Sequence, residues 1–120
     1  MSKRILIIED NPEILELLHL IFEGAGYLVD GYLFGKSAVE IILLECDVII
    51  LDIRIEGYEQ TGDQICADIK ALIPPFTTPI LLLSAEKNLS ELALACHSDS
   101  FMSKPFDLDK LLNRVEELAA

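Results

Sequence analysis

Apolar residues along this chain fall into short runs, and each run stops at a polar side chain. Ile5-Leu6-Ile7-Ile8 stops at Glu9-Asp10, Val48-Ile49-Ile50-Leu51 at Asp52, and Ile80-Leu81-Leu82-Leu83 at Ser84. Unbroken aliphatic runs of this length, rich in β-branched residues, suit strands buried on both faces of a parallel sheet. The pattern predicts a first strand over Lys3 to Ile8, a weaker second over Leu28 to Leu33, and a third ending at Asp52. A fourth follows over Pro79 to Leu83 and a short fifth over Ser100 to Ser103.

Between the runs the period lengthens to that of a helix. Ile14, Leu17, Leu18 and Ile21 recur at i, i+3, i+4 and i+7, behind Asn11 as a cap and Pro12 at the first helical position, with Gly24 and Gly26 at the end. A second helix is expected from about Ser37 to Leu44. Ile65, Ile69 and Leu72 mark a third that Pro74-Pro75 closes, and Leu89, Leu92 and Ala93 a short fourth. Asp107 caps a last helix carrying Leu108, Leu111, Leu112, Val115 and Leu118. The stretch from Asp52 to Gly62 reads as a polar loop. Strands alternating with helices imply right-handed βαβ units. The expected fold is therefore α/β, a doubly wound (βα)5 domain over residues 1–120 with a five-stranded parallel sheet in the flavodoxin-like order 2-1-3-4-5.

Composition narrows the partners. Nine basic against 21 acidic side chains leave a formal charge of −12, which repels nucleic-acid phosphates and anionic lipid, so neither nucleic acid nor membrane is expected as a direct partner. No apolar stretch approaches the roughly 20 residues of a membrane span. The opening run follows Met1-Ser2-Lys3-Arg4, is short, and meets acids at once, unlike a signal peptide. Cys46, Cys66 and Cys96 are odd in number and lack ligand spacing, which fits reduced, buried thiols and a cytoplasmic location. His19 and His97 have no second histidine or cysteine at ligand spacing and read as surface residues.

The strand order brings the polar residues at the strand ends into one crevice: Glu9 and Asp10 from the first, Asp52 from the third, Ser84 from the fourth and Lys104 from the fifth. Each taken alone has an ordinary reading as a cap, a loop residue or a solvated lysine. Together they are harder to explain away, because three carboxylates within a few ångströms cannot all ionise without a counter-charge. A hard divalent cation such as Mg²⁺ meets that need.

In these five places the chain resembles a response regulator receiver domain of bacterial two-component signalling. Glu9-Asp10 matches the acidic pair after the first strand, Asp52 the phosphoacceptor, Ser84-Ala85 the hydroxyl and small residue, and Lys104-Pro105-Phe106 the Lys-Pro motif. The spacings are 42, 32 and 20 residues from Asp10 through Asp52 and Ser84 to Lys104. The resemblance implies that Asp52 takes a phosphoryl group from a phosphohistidine on a sensor histidine kinase or phosphotransfer protein. It implies Mg²⁺, with Mn²⁺ as a substitute, held by Asp10, Asp52, the carbonyl of Arg54, and Glu9 through water. Lys104, Ser84 and the backbone N–H of Ala85 would contact the phosphoryl oxygens. Ser84 and Phe101 would form the switch that a downstream protein or output domain reads. Phe101 is also read as core packing. Arg54 and Glu86 sit at positions that modulate dephosphorylation, and are expected to pair across the pocket mouth and hinder attacking water. Such a domain catalyses its own phosphorylation and dephosphorylation without a conventional turnover substrate.

The chain also departs from that pattern. No Met-Pro follows Asp52, and the glycine expected eight residues on stands at Gly62, ten residues on. The interval from Ser84 to Lys104 is short, so the fourth helix is expected to be trimmed, and His97 stands where a helix-ending glycine is usual. Two other functions compete. A receiver-like scaffold would bind partners without phosphorylation. A dehalogenase-like phosphohydrolase would need an aspartate two residues after the nucleophile, where this chain has Arg54. A nucleotide-binding fold lacks support, because neither GxGxxG nor GxxxxGK[ST] follows the first strand.

Overall fold

A computed structural model describes residues 2–120. Five strands alternate with five helices: β1 (Arg4–Ile8), α1 (Pro12–Gly24), β2 (Leu28–Tyr32), α2 (Ala38–Leu43), β3 (Val48–Leu51), α3 (Gly62–Leu72), β4 (Ile80–Ser84), α4 (Leu89–Cys96), β5 (Ser100–Ser103) and α5 (Leu108–Ala119). The sheet is parallel throughout, in the order β2-β1-β3-β4-β5.

The continuous apolar runs are divided by the pleat. Leu6, Ile8, Ile49, Leu51, Ile80 and Leu82 pack with Ile41, Ile65, Ile69 and Ala93 of α2, α3 and α4. Ile5, Ile7, Val48, Ile50, Leu81 and Leu83 pack with Leu18 and Phe22 of α1 and Leu111 and Val115 of α5. Neighbouring residues therefore serve opposite layers, which is why the three inner strands show no polar alternation.

Helix starts follow their caps. The Asn11 side chain accepts from Glu13 N and Ile14 N with Pro12 in the first turn, Ser37 and Glu40 form a reciprocal capping box, and Asp107 accepts from Lys110 N. In α1 the buried face differs from the predicted stripe: Leu18 and Phe22 are fully buried, while Leu17 is 40% exposed. Seven apolar residues crowd this helix between Ile14 and Phe22, so periodicity alone admits more than one face; the face that buries the bulky Phe22 is the one adopted.

α4 spans eight residues and ends on His97 in the left-handed region at φ 60°, as its place in the sequence suggested. All three cysteines are free and buried. Among the described residues no helix is long and apolar enough to cross a membrane.

Candidate functional site

Strand register assembles the site. Ile8 lies opposite Leu51 and Ser84 opposite Ser103, so the residues that follow leave the sheet at the same edge. Ladder hydrogen bonds continue beyond the strands: Glu9 N donates to Tyr32 O at 3.0 Å, Asp52 N to Ile8 O at 3.0 Å, and Lys104 N to Ser84 O at 2.9 Å. Their backbones are fixed by the sheet itself.

Glu9, Asp10 and Asp52 each offer a carboxylate oxygen within 4.8 Å of the others. Glu9 is 1% and Asp52 6% exposed, so the cluster is largely withdrawn from water. Lys104 Nζ reaches between the two buried acids, donating to Glu9 Oε1 at 2.5 Å and to Asp52 Oδ2 at 3.0 Å. Burial pushes the Glu9 carboxyl up to about 7, with the Asp52 charge adding to the rise and the bond to Lys104 opposing it. Burial acts to lower the Lys104 pKa, but hydrogen bonds and charge from Glu9 and Asp52 outweigh it and hold the ammonium above its ordinary value. One cation faces three acids, which leaves a pocket suited to further positive charge. Buried oxygen donors are what a hard divalent cation takes.

Of the other predicted residues, Arg54 and Glu86 share a groove with Asp10, and Phe101 stands apart on the edge strand. Ser84 is 2% exposed, and its Oγ accepts from Glu86 N at 3.2 Å; Ala85 is exposed beside it. Arg54 reaches across from the β3–α3 loop and donates from Nε to Glu86 Oε1, an ion pair between the two loops that border the site. A groove of about 670 Å³ lies between those loops, with Asp10, Arg54, Tyr58, Glu86 and Asn88 in its walls. Phe101 is 41% exposed, contrary to its reading as core. β5 is an edge strand, and the neighbouring Met102 is the residue that turns into the α1/α5 layer, leaving Phe101 on the outer side.

The loop after Asp52 also differs from expectation. It is anchored by apolar residues, with Ile53 and Ile55 only 3% and 5% exposed in the core that α2, α3 and α4 cover. Gly62 closes it. Its N–H donates to Ile53 O at 2.8 Å, and a Cβ there would lie 1.9 Å from the Asp52 carbonyl oxygen. Gly62→Ala is therefore expected to destabilise the fold by about 3 kcal/mol through overpacking against backbone that cannot yield, which exceeds the roughly 1 kcal/mol alanine gains in a helix. A urea midpoint no lower than that of the natural chain contradicts this.

Three contacts were not foreseen. Asn11 N donates to Glu9 Oε2 at 3.1 Å, Glu56 N donates to Asp10 Oδ2 at 3.0 Å, and the Tyr58 ring covers Gly35, where a Cβ would come within 2.2 Å of it. The backbone donors leave no trace in residue type. Gly57 inside an otherwise anchored loop was the available sign of a turn.

A family model for the response regulator receiver domain matches residues 5–116. The chain is 35% identical over 119 residues to the response regulator GtcR of Aneurinibacillus migulanus, covering 97% of this chain and 47% of that protein. It spans about half the length of the curated relatives it matches. Among solved structures, the signal receiver domain of a signal transduction histidine kinase from Syntrophus aciditrophicus superposes with a TM-score of 0.86 at 30% identity, covering 98% of this chain and 90% of that one. The chemotaxis protein CheY4 of Vibrio cholerae shares the fold, with a TM-score of 0.84 at 22% identity over 98% of this chain and 99% of its own. With its acidic cluster and lysine at the carboxyl ends of a 2-1-3-4-5 parallel sheet, this chain belongs to the response regulator receiver domain family of two-component systems.

Proposed function

We propose that the chain is a phosphoacceptor switch that takes a phosphoryl group from a partner phosphohistidine onto Asp52 and signals the change to a downstream protein or output domain. The observation that carries this reading is Lys104 Nζ on Asp52 Oδ2 at 3.0 Å, inside a cluster of three carboxylates. Asp52 attacks phosphorus in line; the bond to the kinase imidazole nitrogen breaks as the bond to a carboxylate oxygen of Asp52 forms. The partner is a sensor histidine kinase or a phosphotransfer protein, and the setting is the cytoplasm. The chain promotes its own phosphorylation and dephosphorylation and turns over no separate substrate.

The cluster suits Mg²⁺, or Mn²⁺ in its place, with Asp10, Asp52 and the Arg54 carbonyl as ligands and Glu9 acting through water. The cation supplies charge neutralisation between the Asp52 carboxylate and the incoming phosphoryl group. Lys104 keeps its ammonium charged and directed at Asp52, ready to move to a phosphoryl oxygen. Ser84 Oγ and the Ala85 N–H provide further donors, and drawing Ser84 inward disturbs its present contact with Glu86 N. Phe101, half out in solvent, has room to change rotamer in response and reports through packing because it has no hydroxyl. Arg54, two residues after Asp52, is engaged with Glu86 and offers no carboxylate for the hydrolase alternative.

Incubating the chain with Mg²⁺ and acetyl phosphate, or with beryllofluoride, is expected to give one phosphoryl adduct by intact mass, or matching amide shifts around residues 52, 84 and 104. A scaffold that works without phosphorylation gives neither. Turnover of a diffusible phosphomonoester supports the hydrolase reading instead.

The Arg54–Glu86 pair is expected to slow hydrolysis of the phosphorylated form by obstructing water. Arg54→Ala and Glu86→Ala should each shorten the phosphoryl half-life by about two- to fivefold, a barrier change of under about 1 kcal/mol that suits an ion pair with one largely exposed partner. Unchanged half-lives in both variants rule out the obstruction.

A further inference from the structure

We propose that the turn Ile55–Tyr58 positions the Asp10 carboxylate for cation binding through the backbone N–H of Glu56, and that Tyr58 seated on Gly35 holds this turn in place. The inference rests on the reading of Glu9, Asp10 and Asp52 as a cation site, and adds Glu56, Tyr58 and Gly35 as positioning residues for it.

Asp10 is the most exposed acid of the three and so has the greatest freedom to rotate toward solvent. Its Oδ2 accepts the Glu56 N–H at 3.0 Å, across 46 residues of sequence. A fixed donor on one oxygen restrains the carboxylate and leaves its other oxygen directed toward the cluster it shares with Glu9 and Asp52.

The donor itself is well held. Tyr58 N donates to Ile55 O at 3.1 Å, and Gly57 has φ 78° while Glu56 is not among the residues of positive φ. These are the marks of a type II turn with glycine in its third place. One end is pinned by Ile55, 5% exposed in the core. The other is pinned by Tyr58, whose ring lies where a Cβ on Gly35 would be, 2.2 Å from Cδ2 and 2.3 Å from Cγ. Overlap at Cγ cannot be relieved by moving the ring tip alone. A side chain on Gly35 would therefore displace Tyr58, with it the turn, and with the turn the Glu56 N–H.

Hydrogen-bond partners of metal-ligating groups typically change affinity by 10- to 100-fold when removed. The second place of a type II turn suits proline, which lacks an N–H, so Glu56→Pro removes the donor and retains the turn. Glu56→Ala removes the side chain and retains the donor.

The test is the divalent-cation affinity of the whole chain, measured as Mn²⁺ binding by electron paramagnetic resonance and Mg²⁺ binding by calorimetry. Glu56→Ala is expected within about twofold of the natural chain and Glu56→Pro about tenfold weaker, with Gly35→Ala weakened in the same direction. Equal affinities for Glu56→Pro and Glu56→Ala overturn the positioning role and leave the cation site standing. If Asp10→Ala binds both ions as tightly as the natural chain, the cation reading itself fails and the positioning role with it. Should Glu56→Pro not fold, the Glu56 amide resonance decides: it must shift in Asp10→Ala, and an unmoved resonance overturns the proposal.

Discussion

Asp52→Asn is expected to abolish phosphoryl uptake from acetyl phosphate, with no adduct by intact mass under conditions that label the natural chain to completion. The substitution keeps the shape of the side chain and removes the nucleophilic charge, so the fold remains while the reaction has nowhere to go. It also removes one of the three clustered carboxylates, and divalent-cation affinity should fall with it. A labelled Asp52→Asn protein would place the acceptor elsewhere and defeat the proposed function. Asp52 N remains bonded to Ile8 O in the variant because the side chain takes no part in that contact, and the unfolding transition should stay cooperative.

Lys104→Met carries the second large effect. It removes the cation that faces Glu9 and Asp52 and the donor proposed for a phosphoryl oxygen, and loss of one such donor commonly costs about 10²–10³ in rate. Stability responds differently according to pH. Burial raises the Glu9 carboxyl from 4.5 in the unfolded chain to about 7 in the folded one. A raised carboxyl stabilises the fold fully below about 4.5 and loses that contribution as pH climbs through about 7. In chelator-treated protein, Glu9 therefore lowers stability across this window by an amount on the order of 3 kcal/mol.

Without the ammonium, only the Asn11 N–H still counters burial and the Asp52 charge at Glu9, so the loss in Lys104→Met should be larger and extend to higher pH. Urea unfolding at pH 5 and pH 8 checks this, with Glu9→Gln as the variant that flattens the dependence. A Lys104→Met protein as stable as the natural chain at pH 8 contradicts the account. Lys104→Arg is not expected to restore the rate, because a planar guanidinium does not occupy the compact site of an ammonium between two acids.

The exposed Phe101 bears on what the proposed switch would tell a partner. At an edge strand with 41% of its surface open, it is already where a partner can touch it, and any change of state must alter shape and apolar area. The β3–α3 loop has the opposite character. Read as polar, it carries two buried isoleucines and a tyrosine packed on glycine, so it is packed into the frame of the site.

The amino-acid sequence by itself determined the element order, the parallel sheet and the residues at the strand ends. Runs such as Val48–Leu51 are too apolar to lie anywhere but between two layers, and the chain must then leave the core at Asp52. Caps were equally legible, because Asn11, Ser37 and Asp107 act on backbone groups within three residues of themselves. Only the tertiary structure decided which face of α1 turns inward, that Phe101 looks outward, that Lys104 bonds Glu9 as well as Asp52, and that Glu56 N–H meets Asp10. Those outcomes depend on groups 46 to 95 residues apart, or on a choice between faces of nearly equal hydrophobicity. Local periodicity carries no information about either, since a backbone N–H is the same in every residue but proline and only packing says what it faces.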